Sequence, residues 1–125
     1  MSQPTENILV VDRLVAGWEK RDVNAIVACL SDDATWHNIP YPPIVGQQAI
    51  GAAISRFLDD MTEVRFEIRH SGEISHDVVM NERVDIFRRR DGTEVRLPVT
   101  GIFELSGGRI RAWRDYFDRA TMEAQ

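Results

Sequence analysis

An arginine and an aspartate alternate with aliphatic residues in the segment Glu82–Phe87, which has the pattern of a β-strand. Alternate side chains of an extended chain lie on the same face, so Arg83 and Asp85 are expected to point together, away from Val84. A guanidinium beside a carboxylate stabilises the ionised acid and orients it through planar donors. The pair is therefore a candidate for acid–base chemistry.

A second strand-like segment, Ala112–Phe117, places Asp115 on one face with Trp113 and Phe117. A carboxylate between two large aromatic side chains lies either on a solvated sheet face or in a pocket built for chemistry. If Asp115 meets the Arg83 pair across one sheet, two acids can take opposite tasks, because neighbouring carboxylates cannot both ionise cheaply. The structural alternative is a buried ion-pair cluster or a solvated face, although burying such charges without a function is costly.

Length and composition predict a single domain spanning 1–125. A chain of 125 residues, with 43% hydrophobic and 28% charged residues, is long enough to bury about two-thirds of its unfolded surface. The formal net charge is −5, and the only basic cluster, Arg88–Arg90, precedes the turn signal Asp91-Gly92. Nucleic acid is therefore not expected as a partner.

Cysteine usage and the lack of long apolar runs favour the cytoplasm. The single cysteine, Cys29, cannot form an internal disulfide and is expected to be a small core residue. No run approaches the ~20 apolar residues of a membrane span, and the sequence begins without a basic region followed by an apolar stretch. No membrane partner is expected, and no metal site is expected because the histidines lack the spacing of one.

Three helices are predicted before most of the strands. Apolar residues recur at helical spacing over about 5–21 and 47–58, and Asp22 can cap a shorter helix over 23–30. A short strand over 34–38 then runs into residues 39–43, where three prolines require a rigid loop.

Extended segments dominate the second half of the chain. Residues 64–68 alternate, and long strands over 78–89, 94–105 and 109–118 are joined by tight turns at 91–92 and 106–108. A further turn is expected around 71–73, between His70 and His76, and Pro98 is expected at an edge position or a bulge. This order predicts an α+β fold with the helices packed on one face of a meander.

Several motifs resemble those of the limonene-1,2-epoxide hydrolases. They are Glu82-Arg83-Val84-Asp85, Gly101–Leu105, Gly108–Ile110, Trp113–Asp118, and Asn38-Ile39-Pro40 followed by Pro42-Pro43. The resemblance runs from about residue 6 to 120, and the order of elements is similar to that of the nuclear-transport-factor-two-like, or SnoaL-like, superfamily. Together they predict N-terminal helices packed on a strongly curved, mixed, largely antiparallel β-sheet that forms a cone with an internal pocket.

The resemblance implies hydrolysis of an epoxide to a vicinal diol in one step, without metal or cofactor. By position, Asp115 would take a proton from water as the water attacks an epoxide carbon. Asp85 would donate a proton to the opening epoxide oxygen, and Arg83 would lie between the two acids. Ring opening requires such an acid because an alkoxide is a poor leaving group.

The resemblance also implies a site for the attacking water. Members of that family carry a Tyr and an Asn two residues apart that help to hold it; Asn38 matches the Asn, whereas Trp36 occupies the Tyr position. An indole N–H donates a hydrogen bond and cannot accept one. Trp36 is therefore expected either to shape the pocket wall or to make a weaker contact with the water.

Apart from these groups the pocket is expected to be apolar. Its predicted walls are Phe87, Leu97, Val99, Trp113 and Phe117. Such a lining suits a small cyclic or terpene-like epoxide as the partner molecule. The family also implies a homodimer formed through the outer face of the sheet.

Two other functions remain open. A related enzyme of this fold, such as a ketosteroid isomerase or polyketide cyclase, would use one pocket carboxylate to move a proton beside a ketone. A non-catalytic binding module would use the same charges to stabilise its pocket. Replacing Asp85 by Asn separates them: a hydrolase loses nearly all activity, an isomerase relying on Asp115 survives, and a binding module keeps its ligand.

Overall fold

A computed structural model describes residues 3–125 as four helices and one β-sheet. The helices are α1 (Glu6–Glu19), α2 (Val23–Ala28), α3 (Gln47–Asp59) and α4 (Arg119–Glu123). The strands are β1 (Leu30–Ile39), β2 (Ile44–Val45), β3 (Met61–Ser75), β4 (Val78–Arg89), β5 (Glu94–Ser106) and β6 (Arg109–Tyr116). None of these helices is long and apolar enough to cross a membrane.

The six strands form one open, mixed sheet in the order β2-β1-β6-β5-β4-β3. β1 and β6 run parallel, and every other neighbouring pair is antiparallel. Buried residues of α1, α2 and α3 pack with the inner face of the sheet in one core, which includes Leu14, Ile26, Ile50, Val64 and Ile110. The predicted α+β cone, with helices on a largely antiparallel sheet, is confirmed.

Side-chain caps start the first two helices where the sequence predicts. The Thr5 hydroxyl accepts a hydrogen bond from the backbone N–H of Ile8, and the Asp22 carboxylate accepts one from Ala25. The second helix ends at Ala28 rather than residue 30, because Leu30 already pairs with Ile110 as the start of β1.

The prediction of a turn around residues 71–73 is wrong. Gly72 lies inside β3, paired with Met80, and the hairpin reverses later, at His76 and Asp77. Asp77 takes the positive φ of 59° that this turn needs. Long-range pairing with β4 therefore outweighs the local turn preference of a Ser-Gly sequence.

Pro98 lies in an interior strand and not at a bulge in the β4–β5 pairing, where it sits opposite Val84 in an unbroken register. The pairing of β5 with β6 begins only at Thr100, so β5 has an edge-like half at Pro98. On that half, the side chain of Gln125 accepts a hydrogen bond from the backbone N–H of Arg96 and donates one to its carbonyl. The missing N–H of proline is tolerated there, and the expected bulge is not needed.

Candidate active site

Strand β4 presents a row of polar side chains to the inside of the cone. Asn81, Arg83 and Asp85 alternate along it, and the exposed fractions of the arginine and the aspartate are 1% and 4%. Val84 lies on the opposite face of the strand. The sequence alternation predicted this arrangement, and the structure adds Asn81 to the row.

The guanidinium of Arg83 joins two carboxylates. Its Nε donates to Oδ1 of Asp85 at 2.7 Å and its Nη2 to Oδ2 of Asp85 at 3.2 Å. The same Nη2 donates to Oδ2 of Asp115 at 2.7 Å, and Asp115 is 5% exposed. The three groups that the sequence singles out thus form one buried cluster.

Strand β5 lies between the two acids, and Gly101 lets Arg83 cross it. Gly101 pairs with Asn81 on β4 and with Asp115 on β6. A Cβ atom at this position would lie 2.5 Å from Nη1 of Arg83, 2.9 Å from Oδ1 of Asn81 and 3.0 Å from Oδ1 of Asp115. A glycine inside a strand is a recognised sign of such close approach, so Gly101 could have indicated the crossing from the sequence.

Two further groups fix the guanidinium. Oδ1 of Asn81 accepts a hydrogen bond from Nη1 of Arg83 at 2.9 Å. The ring of Phe66 lies 4.9 Å from the guanidinium carbon, a distance at which a cation is attracted to an aromatic face. Arg83 is therefore held on every side, and neither Asn81 nor Phe66 stands out from the sequence alone.

Asp115 is oriented by its neighbour on the same strand. The indole Nε1 of Trp113 donates to Oδ1 of Asp115 at 2.8 Å, while Oδ2 faces Arg83. In the parallel register of β1 with β6, Asn38 lies opposite Asp115. The predicted water-positioning amide is thus beside the predicted base.

Trp36 packs against Trp113, with ring centroids 5.0 Å apart and an angle of 23° between the planes. Its indole nitrogen is buried and has no hydrogen-bond partner among the residues that the structure describes. The ring therefore forms part of the cavity wall, one of the two roles expected for it.

Burial sets the ionisation of the cluster. Desolvation raises the pKa of Asp85 to about 6, because it outweighs the favourable charge and hydrogen bonds of Arg83. Burial is the largest single influence on the pKa of Arg83 and lowers it, but the charges and hydrogen bonds of Asp115 and Asp85 together outweigh burial and raise the pKa above its usual value. Arg83 therefore stays charged while Asp85 keeps a proton far more readily than a solvated aspartate.

The cluster lies against a cavity of about 320 Å³ enclosed by the helices and the inner sheet face. Its lining includes every site residue predicted from the sequence except Arg83, which lies behind the two acids. These are Trp36, Asn38, Asp85, Phe87, Leu97, Val99, Trp113, Asp115 and Phe117. Among residues 3–125, no group of three or more His, Cys, Asp or Glu side chains is arranged to hold a metal ion.

This chain is similar to known proteins in sequence and in structure. The SnoaL-like domain family matches residues 11–113. The chain belongs to the SnoaL-like family. A curated relative, the epoxide hydrolase EphG of Mycobacterium tuberculosis strain H37Rv, is 30% identical over 109 residues, which cover 86% of this chain and 70% of EphG.

Solved structures of the SnoaL-like fold agree with this assignment. An LEH-like epoxide hydrolase of M. tuberculosis superposes with a TM-score of 0.86 at 28% identity, covering 98% of this chain and 90% of the other. A protein with a ketosteroid isomerase-like fold from Catenulispora acidiphila gives 0.82 at 20% identity, covering 93% and 90%. The second likeness shows the fold alone.

Several residues that line the cavity were not predicted from the sequence. Trp18 and Phe57 come from helices, and Met122 comes from α4, an unpredicted element. Helical periodicity indicates that such residues are buried, but not that they meet at one cavity. Near α4, the hydroxyl of Tyr41 donates to Oε1 of Glu123 at 2.9 Å, and its ring stacks on Phe117.

Proposed function

We propose that this SnoaL-like protein is a cofactor-independent epoxide hydrolase that adds water to a small apolar epoxide and releases a vicinal diol. The observation that supports it best is the sharing of one buried guanidinium by two carboxylates, Asp85 and Asp115, that both line the cavity. General acid–base ring opening needs two such groups, one to give a proton and one to take one.

In this mechanism Asp115 is the base. It removes one proton from the attacking water, while the second O–H of the water donates a hydrogen bond to the side-chain oxygen of Asn38 and stays on the oxygen that attacks an epoxide carbon. Trp113 and Arg83 hold one carboxylate oxygen each, at 2.8 and 2.7 Å, so the base is oriented before the substrate arrives. The ring of Trp36 forms part of the cavity wall beside this water.

Asp85 is the acid. Its proton passes to the epoxide oxygen as the carbon–oxygen bond breaks, so no free alkoxide forms. Of its two oxygens, Oδ2 has the longer contact with Arg83, 3.2 Å, and is the better position for that proton. Each proton transfer is expected to contribute about 10²–10⁴-fold in rate. The similarity to EphG in sequence and to an LEH-like epoxide hydrolase in structure supports the same chemistry.

The test is diol formation from limonene oxide and cyclohexene oxide by the wild type and by Asp85→Asn. The amide cannot supply the acidic proton, so turnover is expected to fall at least about 100-fold in a folded variant. Undiminished diol formation would remove Asp85 from the mechanism. Absence of diol from the wild type, with proton exchange beside a ketone that survives in Asp85→Asn, would favour an isomerase that uses Asp115 alone.

We further propose that two copies pair through the outer sheet face. Val84, Pro98 and Tyr116 border a shallow depression there, and the exposed fraction of Tyr116 is 44%. An apolar patch with a polar rim, here Glu82 and other charged side chains, is a common form of subunit interface.

A cytoplasmic location accords with the free, buried thiol of Cys29.

A further inference from the structure

Most of the aromatic rings of the protein lie at the cavity. The sequence has three tryptophans, two tyrosines and five phenylalanines, and eight of these ten rings line this one cavity. Its aliphatic lining is limited to Leu97, Val99 and Met122. The remaining two rings belong to Phe103, in the core, and to Tyr116, on the outer sheet face.

Four of the rings lie deep, beside the charged cluster. Trp18, Trp36, Phe66 and Trp113 are all at least nine-tenths buried. They form a continuous set, because Trp18 lies within 6.0 Å of Trp36 and Trp113 and 5.7 Å from Phe66, measured between ring centroids. A ligand held against the two acids therefore meets aromatic faces and edges as well as the methyl groups of Leu97 and Val99, which line the same cavity.

The other four rings are more exposed than these. Phe57, on α3, meets Phe87, on β4, edge to face with centroids 4.9 Å apart. Tyr41 and Phe117 stack at 6.2 Å, beside Met122. A molecule that enters from this more exposed side passes aromatic pairs before it reaches the acids.

We infer that the epoxide taken by this cavity carries an aryl group, so that an aryl-substituted oxirane is preferred over a saturated cyclic one. The inference rests on the proposed function for the epoxide itself and on the lining for the aryl group. A flat ring can stack on one wall and meet another edge to face, and such pairs are favourable beyond the area they bury.

Simple burial of apolar surface predicts the opposite preference. A cyclohexyl group has more apolar surface than a phenyl group, and transfer from water favours the larger surface. A phenyl preference would therefore report the aromatic lining and not hydrophobicity. One or two well-placed aromatic contacts correspond to about tenfold in affinity.

The first experiment measures binding without chemistry. Isothermal titration calorimetry compares 3-phenylpropane-1,2-diol with 3-cyclohexylpropane-1,2-diol, two diols that differ only in the ring. The phenyl diol is expected to bind about tenfold tighter. Equal binding, or tighter binding of the cyclohexyl diol, would overturn the inference whether or not the protein hydrolyses epoxides.

The second experiment compares kcat/KM for 2-benzyloxirane and 2-(cyclohexylmethyl)oxirane. A methylene group separates each ring from the oxirane, so the reacting carbons are equally activated. The phenyl compound is expected to be favoured by about the same factor as in binding. If neither epoxide reacts while the phenyl diol still binds tighter, the aryl preference of the cavity stands and the proposed hydrolysis fails.

Variants locate the preference. Phe57→Leu and Phe87→Leu replace two of the more exposed cavity rings by aliphatic groups and are each expected to reduce the phenyl-to-cyclohexyl ratio several-fold. Tyr116→Leu is the matched control, because this ring lies outside the cavity and its loss should leave the ratio unchanged. A ratio that falls equally in all three variants would show that the cavity rings do not select the ligand.

Discussion

Arg83 has a side chain that solvation alone would keep at the surface. Its burial is tolerated because its donors meet oxygens of Asp85, Asp115 and Asn81. Removing one partner of this buried guanidinium is expected to lower the free energy of unfolding far more than losing a surface ion pair does. The reason is that the remaining charge stays buried. The alternation of Arg83 with Asp85 was visible in the sequence, whereas the part played by Asn81 depends on which way the guanidinium turns.

The pKa of Asp85 makes activity depend on pH. Because burial raises this pKa to about 6, the acid form is present below that pH and is lost above it, about tenfold for each further unit. Since Arg83 stays charged throughout, the value of kcat/KM for an epoxide should fall as pH rises from 6 to 8. A pH profile of initial rates checks this, and a flat profile between pH 5 and 8 would argue against Asp85 as the acid.

Strand β5 controls whether the cluster can form. Gly101 leaves room for Arg83 to reach from β4 to β6, and any side chain there would meet the guanidinium and Asp115. The predicted meander already placed β5 between the two charged strands, so this glycine could have been found from the sequence. What local patterns missed were β2, α4 and the full lengths of β1 and β3, which depend on contacts with distant residues.

Gly101→Ala tests the crossing. The added methyl group must displace Arg83 or Asp115, so epoxide hydrolysis is expected to fall at least about tenfold, because small misplacements of catalytic groups are costly. Gly72→Ala is the control: Gly72 is also in a strand, and a Cβ atom there meets nothing within 4 Å. The comparison uses kcat, with circular dichroism to show that both variants fold. Equal activity in the two variants would contradict the role given to Gly101.

The cavity is a property of the whole molecule. Its walls come from α1, α3, α4 and the inner face of the sheet, and periodicity alone could not say that their rings would meet. The sequence did predict the α+β class, the order of the main elements and the face that carries the acids. That residues 1–125 form a single domain stays a prediction, which a single cooperative unfolding transition would support.

The proposed dimer is also tested on the whole molecule. Light scattering coupled to size exclusion is expected to give about twice the 14.3 kDa mass of the chain at micromolar concentration. Tyr116→Arg places a charge in the proposed interface and should shift the protein towards the monomer. A monomeric wild type at these concentrations would contradict pairing through this face.

The proposed hydrolysis depends on direct attack of water with Asp115 as base. A single turnover of limonene oxide in oxygen-18 water, by the wild type beside Asp115→Asn, tests it by mass spectrometry of diol and protein. Direct attack of water should put the label in the diol and none in the protein, with no turnover by the variant. Label in the protein would instead indicate a covalent intermediate on a carboxylate, and full activity of a folded Asp115→Asn would contradict the mechanism.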